Sequence, residues 1–263
     1  MIQYLVEDVM QSKHIVVVGG TSGSGRVLVR RFSEHQNRVS LLGRHPSPEV
    51  QQQFPGIRFY QVDLGNITDV LNVIKKFVAD NGKITHLIFY QRFRGEGDNW
   101  EGELQISLTA TKIIIEMCTE LFDGSDENSI IVVSSTAGHL IHTEQPVGYH
   151  VAKAGLNQMV RYYAVMLGSR GIRVNCVSPS TVIKEESKQY YAEQENLRKV
   201  YEKITPLHRM GKAEDIADII EFLCSDKSSF ITGQEIIVDG GLSLIGQSAL
   251  AKQWGNPDII NST

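Results

Sequence analysis

Long apolar runs are missing from this sequence. No stretch approaches the roughly 18 consecutive apolar residues of a membrane-crossing helix, so no membrane span is expected. Cysteine is scarce: Cys118, Cys176 and Cys224 are odd in number, far apart and free of any Cys-x-x-Cys pair. That argues against a disulfide framework and for buried thiols in a reducing, cytoplasmic setting. Met1 to Asp8 has neither a basic start nor an apolar centre, so no signal peptide is expected. A one-sided charge is missing too. With 26 Lys and Arg against 30 Asp and Glu, the net charge of −4 argues against a nucleic-acid or polyanion surface. There is no Pro/Gly/Ser-rich linker, internal repeat or low-complexity tract, which points to one domain.

What is present is enough apolar sequence to build a core, 41% hydrophobic against 21% charged over 263 residues. Apolar runs at His14–Val18, Arg38–Leu42, Ile57–Val62, Ile84–Tyr90, Ile130–Val133, Ile172–Val177 and Glu235–Val238 predict strands. Between them, helical spacing runs from Val27 to Phe32 and over 66–80, 99–122, 148–168 and 215–224. Alternation of this kind predicts an α/β fold, a Rossmann-type doubly wound parallel sheet with helices on both faces. Residues 1–12 read as a lead-in with a packed turn at Ile2, Leu5, Val6 and Val9, and 242–263 as a tail. The Lys-, Glu- and Tyr-rich stretch 180–210 follows a strand end, where such folds take their ligands, and reads as a partly helical lid.

The first strand runs straight into Gly19-Gly20-Thr21-Ser22-Gly23-Ser24-Gly25. Glycines at 19, 23 and 25 give a GxxxGxG spacing, unlike the GxGxxG of the commoner dinucleotide fingerprint. The physics is shared: glycine permits a tight turn and close approach of phosphate to backbone N–H groups, and the following helix adds its positive end. Placed after a buried strand, the turn reads as a phosphate site that includes Thr21 and Ser22. Arg44 lies 19 residues past Gly25, at the tip of the second strand, and no Asp or Glu occupies 41–48. A carboxylate there would suit the ribose hydroxyl of NAD, whereas an arginine suits the extra phosphate of NADP, with His45 as a second donor. Asp63-Leu64 closes the third strand, where a carboxylate accepts from an adenine amino group or simply caps a helix.

Tyr149 and Lys153 stand at i and i+4, so a helix puts them on one face. A nearby ammonium favours a phenolate and fits the pair to move a proton at neutral pH. His139, His142 and His150 lack carboxylate or Cys partners at ligand spacing, so no metal is expected.

Over about residues 13–241 these motifs resemble the short-chain dehydrogenase/reductase family. The match adds Ser134-Ser135-Thr136-Ala137-Gly138, Arg173-Val174-Asn175, Pro179, Pro206 to Gly211, Ile231-Thr232-Gly233-Gln234 and Val238-Asp239-Gly240-Gly241. The resemblance implies NAD(P)-dependent hydride transfer between an alcohol and a carbonyl, within a dinucleotide-binding and catalytic domain over 13–241. It implies that Tyr149 is the general acid/base and that Lys153 lowers its pKa and holds the nicotinamide ribose. It further implies that Ser135, with Ser134 as competitor, bonds the substrate oxygen, and that Gly19, Gly23, Gly25, Asp63, Leu64 and Pro179 bind cofactor. NADP is the expected cofactor, with NAD as the alternate. The equivalent helices pair in the family, so a homodimer or homotetramer is expected, acting on a small molecule.

Three departures stand out. The family's Asn-Asn-Ala-Gly is here Phe89-Tyr90-Gln91-Arg92, its helical relay Asn is Ser107, and its Pro-Gly…Thr is Pro179-Ser180…Lys184. Val18 also replaces a Thr at the turn. One reading is a working enzyme whose Arg92, Arg94 and Lys184 face the pocket and favour an anionic or hydroxyl-rich substrate such as an acidic sugar. Others are a catalytically weakened NAD(P)-binding protein, or an epimerase working through a transient ketone. Solvated loop arginines are the plain alternative for Arg92 and Arg94. The intact Ser135, Tyr149 and Lys153 favour the working enzyme.

Overall fold

Strand and helix alternate because two hydrophobic periods alternate. The computed structural model describes residues 13–46, 48–80, 82–95 and 99–255; the lead-in and the end of the tail lie outside them. In β1 (His14–Val18) all five residues are buried, as a strand covered on both faces requires. Successive side chains point to opposite faces. Val16 and Val18 therefore join one core cluster, while Ile15 and Val17 join the other.

The chain continues through α1 (Gly23–Glu34), β2 (Arg38–Gly43), α2 (Pro48–Gln53), β3 (Arg58–Gln61), α3 (Ile67–Asp80) and β4 (His86–Phe89). Then come α4 (Trp100–Leu104), a π-turn at Gln105–Thr109, α5 (Ala110–Cys118), β5 (Ser129–Val133), α6 (Val147–Gly168) and β6 (Arg173–Pro179). The remainder is β7 (Val182–Ile183), α7 (Lys188–Glu193), α8 (Glu195–Ile204), β8 (Gly211–Lys212), α9 (Ala213–Leu223), β9 (Glu235–Val238) and α10 (Gln247–Gly255).

The main sheet is parallel throughout, in the order β3-β2-β1-β4-β5-β6-β9. On one face Val70, Ile74 and Phe77 of α3 pack with Ile114 and Ile115 of α5 and Leu156 and Val160 of α6. On the other, Leu28, Val29 and Phe32 of α1 pack with Ile216, Ile220 and Leu223 of α9. This is the doubly wound sheet expected from the sequence. Strand order reverses between β1 and β4, and the crevice beyond their carboxyl ends is where such folds bind ligands.

The structure corrects two expectations and shows the helical part of a third. The 99–122 helix is not continuous: the π-turn interrupts it, with one extra residue per turn beside the crevice. The strand expected over Ile84–Tyr90 is limited to His86–Phe89, with Ile84 making only an isolated bridge to Phe122. The stretch 180–210 is mostly α7 and α8, held at its base by the parallel pairing of β7 with β8.

Candidate active site

The catalytic end is assembled where β5 meets α6. Ser135 caps the short helical turn Thr136–Gly138 and accepts from the Ala137 N–H at 3.2 Å. That turn lies directly on α6. A Cβ on Gly138 would stand 2.7 Å from Asn157 Nδ2 and 3.3 Å from the Lys153 carbonyl carbon, so only glycine lets the serine segment close on the helix. The two serines separate cleanly. Ser134 is buried and its Oγ donates to the Lys153 carbonyl at 3.2 Å, whereas Ser135 stays partly exposed beside α6.

Lys153 is 3% exposed, and its Nζ donates to the Val133 carbonyl at 3.1 Å, which ties α6 to the end of β5. Burial first, then the charge of Arg92, push its pKa down to about 8. Its ammonium stands 5.6 Å from the Tyr149 ring centroid, and the Arg92 guanidinium carbon stands 5.9 Å from the same ring. Two cations therefore stand close to the phenol ring. Glu103, buried on α4, works the other way and favours the charged form of Lys153.

The cavity at the β1/β4 switch is lined by Gly19, Thr21 and Ser22 from the glycine turn. Arg44 and His45 after β2, Leu64 after β3, and Gln91, Arg92 and Arg94 after β4 complete its wall. Gly19 has φ +82°, and a Cβ there would lie 2.6 Å from the Gln91 backbone. A Cβ on Gly25 would lie 2.8 Å from the Gly20 Cα and 3.2 Å from the Tyr90 ring. These two glycines thus let the turn pack on its own chain. Gly23, with φ +59°, begins α1 and presents its N–H to the Glu186 carboxylate at 2.9 Å.

Not every expected residue points into this cavity. Asp63 is exposed and its Oδ1 accepts from the Gly65 N–H at 3.0 Å, the turn-capping arrangement, while its neighbours Val62 and Leu64 line the wall. Pro179 pairs with Val238 at the end of β6, away from the glycine turn. Ser107 sits in the π-turn, 1% exposed, and its Oγ is unpartnered among the described residues. Its carbonyl accepts from Thr111 Oγ1 at 2.7 Å, and Thr111 in turn accepts from Gln91 Nε2 at 2.6 Å. Arg94 donates to Ser22 Oγ at 3.1 Å. The two arginines are thus site residues at different ends: Arg92 beside Tyr149, Arg94 on the glycine turn. Lys184 lies across Gly23, and burial, then Arg92 and Arg94, lower its pKa.

Sequence reasoning did not single out Gln91 as a network residue, nor Thr111, Glu103 or Glu186. Glu103 was legible only as an acidic residue four before Ser107. The others become visible through contacts between distant segments. Among the described residues no three His, Cys, Asp or Glu side chains converge as metal ligands. As a host for an anionic dinucleotide the arrangement fits, because an amide of the glycine turn already holds an anionic oxygen and the walls are cationic.

Comparison with known proteins agrees with the geometry. The model of the family described as enoyl-(acyl carrier protein) reductase matches residues 19–243. The chain belongs to the short-chain dehydrogenase/reductase family. It is accordingly an NAD(P)-dependent oxidoreductase, with the fold expected of one. It is 28% identical to glucose 1-dehydrogenase of Gluconobacter oxydans, over 91% of this chain and 95% of that one. It is 27% identical to L-rhamnose 1-dehydrogenase (NAD(P)(+)) of a Sphingomonas species, over 89% and 97%. Among solved structures, 4-hydroxyisoleucine dehydrogenase complexed with NADH superposes with a TM-score of 0.79 at 23% identity, over 89% of this chain and all of that one. This last likeness is one of fold.

Proposed function

We propose that this short-chain dehydrogenase/reductase is an NADP-preferring enzyme that moves a hydride reversibly between nicotinamide and a carbonyl or secondary alcohol of a sugar-like or anionic substrate. The observation that carries the reading is Tyr149 with two cations 5.6 and 5.9 Å from its ring centroid, one of them a buried lysine tied to β5. Bound nicotinamide supplies or accepts the hydride. The chain's own residues manage proton and charge. Tyr149 Oη gives the proton to the substrate oxygen or takes it, with the Lys153 ammonium beside its ring. Ser135 Oγ donates to the same oxygen, where negative charge grows as a carbonyl is reduced. The engagement of Ser134 with the Lys153 carbonyl supports Ser135 in that role.

Gly19, Thr21, Ser22, Gly23 and Gly25 would hold the pyrophosphate, with Leu64 and Asp63 on the adenine side and Pro179 on the nicotinamide side. Arg44 and His45 would take the 2′-phosphate, and their place in the wall of the cavity supports NADP over NAD. Arg92 and Lys184 supply positive charge for the substrate, while Ser107, through Thr111 and Gln91, belongs to the buried polar floor. Two of the relatives are named as sugar dehydrogenases, which supports the substrate class.

Titration with NADPH and NADH, followed by nicotinamide fluorescence, tests the cofactor. NADPH should bind clearly tighter, and a preference for NADH removes the Arg44 reading. Turnover on a panel of aldoses, uronates and neutral ketones tests the substrate, and activity confined to neutral ketones removes the sugar-like, anionic class. The outer face of α6 leaves Val151, Val165 and Met166 exposed, which supports pairing with a second copy, and a monomeric mass by light scattering would exclude it. The three cysteines are free and buried, and burial raises each thiol pKa to about 12, which supports a reducing, cytoplasmic setting.

A further inference from the structure

Residues just after β7 reach across the glycine turn. Gly23 N–H, the first amide of α1, donates to Glu186 Oε1 at 2.9 Å, and Arg26 Nη2 stands 3.5 Å from the same oxygen. Arg94 comes in from the far side of the crevice, bonded to Ser22 Oγ at 3.1 Å, and its charge also acts on Glu186. Burial alone would raise the Glu186 pKa. The Gly23 amide, Arg26 and Arg94 overcome it and hold the carboxyl below the usual carboxylate range. Two donors of one twelve-residue helix, the Gly23 amide and Arg26, thus converge on one anionic oxygen at its start, and the Arg94 charge from the segment after β4 acts on the same carboxylate. Arg94 also stands near Arg92 and Arg44, which repel it, and its own burial, followed by Arg92, lowers its pKa.

We infer that Arg94 is a phosphate-binding residue of the cofactor site rather than a substrate contact, and that Glu186 is the internal anion which the cofactor's pyrophosphate displaces. The inference rests on reading the glycine turn as the dinucleotide site. The Gly23 amide has a single hydrogen and cannot serve a carboxylate and a phosphate oxygen together. A pyrophosphate brings two negative charges where Glu186 brings one, so Arg26 and Arg94 favour the exchange. Apparent affinity is then the intrinsic affinity reduced by the fraction of molecules in which Glu186 has swung away. The exchange also releases the turn that carries Lys184, whose side chain lies over Gly23. Cofactor loading and the position of the β7–β8 segment are therefore coupled.

The test uses Glu186→Gln, Glu186→Ala and Arg94→Gln, all at exposed positions where folding is retained. Inorganic pyrophosphate is titrated with thermal shift as the readout, and NADPH with fluorescence. Both Glu186 variants should bind both probes about 3- to 30-fold tighter than the parent protein, for a competent fraction of roughly 3–30%. Arg94→Gln should bind both about 10-fold more weakly, the loss of one charge-assisted bond. Equal or weaker pyrophosphate binding in both Glu186 variants overturns the displaced anion, and unchanged binding in Arg94→Gln overturns the role of Arg94. If pyrophosphate ranks the variants as expected while NADPH binds none, the anion cradle stands and the dinucleotide reading falls. If neither probe binds any variant, both fall.

Discussion

Arg173 and Arg94 stand at opposite ends of the same sheet and are held in opposite ways. Arg173 opens β6, is 6% exposed, and donates to the carbonyls of Leu223, Glu127 and Ser225 and to Ser228 Oγ. Its own chain provides the acceptors. Arg94, beyond the carboxyl end of β4, has one hydrogen bond among the described residues, to Ser22, and its neighbours include Arg92 and Arg44. Desolvating a guanidinium is expensive unless partners compensate, and at Arg173 they do so internally. Arg94 is exposed, so water and the nearby Glu186 carboxylate compensate its charge. One end of the sheet spends its cation on the fold, and the other leaves its cations in the wall of the crevice.

Variants should split along that line. Tyr149→Phe removes the proton donor and should lower kcat about 10²- to 10⁴-fold with little change in NADPH affinity or melting temperature. Undiminished turnover would remove Tyr149 from the mechanism. Arg173→Met should instead cost about 2–4 kcal/mol of unfolding free energy in urea, because it strips several buried acceptors of a charged donor. Its kcat per folded molecule should be unchanged, and a selective kinetic loss would break the comparison. Arg44→Ser should weaken NADPH binding about 10- to 100-fold and leave NADH nearly untouched, the cost of losing charge-assisted bonds to a phosphate. A parallel loss for both nucleotides would move Arg44 away from the 2′-phosphate.

The smallest expected effect is a shift in pH. Burial, followed by Arg92, holds the Lys153 pKa near 8. Arg92→Gln removes a positive neighbour, so the ammonium becomes easier to keep and the pKa rises. The alkaline limb of kcat/KM that reports loss of the Lys153 proton should move to higher pH. A limb that stays put would mean that Arg92 acts on substrate alone. The same depressed pKa has a consequence for stability. Between about 8 and the ordinary lysine value of 10.5 the unfolded chain holds more protons, so this group makes stability rise with pH across that window. In Lys153→Met that rise should disappear from urea midpoints measured across the window.

Most of the sheet was legible because parallel strands covered on both faces are dense in Val, Ile and Leu, as at His14–Val18. Helix α2 escaped because its six residues, Pro48 to Gln53, contain one apolar side chain, too few to register a period. The π-turn escaped for the opposite reason: Ile106 and Ala110 keep an apolar face that a plain α-helix also satisfies. In the site, Tyr149 and Lys153 could be paired from their i, i+4 spacing, since helix geometry decides their mutual approach, whereas Ser135 was named from the family resemblance. The engagement of Ser134 with the Lys153 carbonyl, a contact 19 residues along the chain, could not be read from the sequence. The contact of Glu186 with Gly23 spans 163 residues, and no local pattern announces it. The bond of Arg94 to Ser22 spans 72 residues, and the sequence does not reveal which way the segment after β4 folds back.

The two-residue pairing of β7 with β8 has a consequence for how such an enzyme can diversify. Val182 and Ile183 lie against Gly211 and Lys212, and a Cβ on Gly211 would sit 2.9 Å from Val182 Cγ1, so the clasp is close. Between its halves the chain touches the body at Gly23, through Lys184 and Glu186, and at Gly240 and Gly241, through Thr205 and Pro206, while α7 and α8 bury no residue fully. Doubling the length of such a segment costs only about 0.6 kcal/mol in closure entropy. Insertions, deletions or whole exchanges between 184 and 210 can thus be sampled while the seven-stranded sheet keeps its register. The clasp makes this stretch a replaceable cassette, which a lineage can rebuild without relearning how to fold.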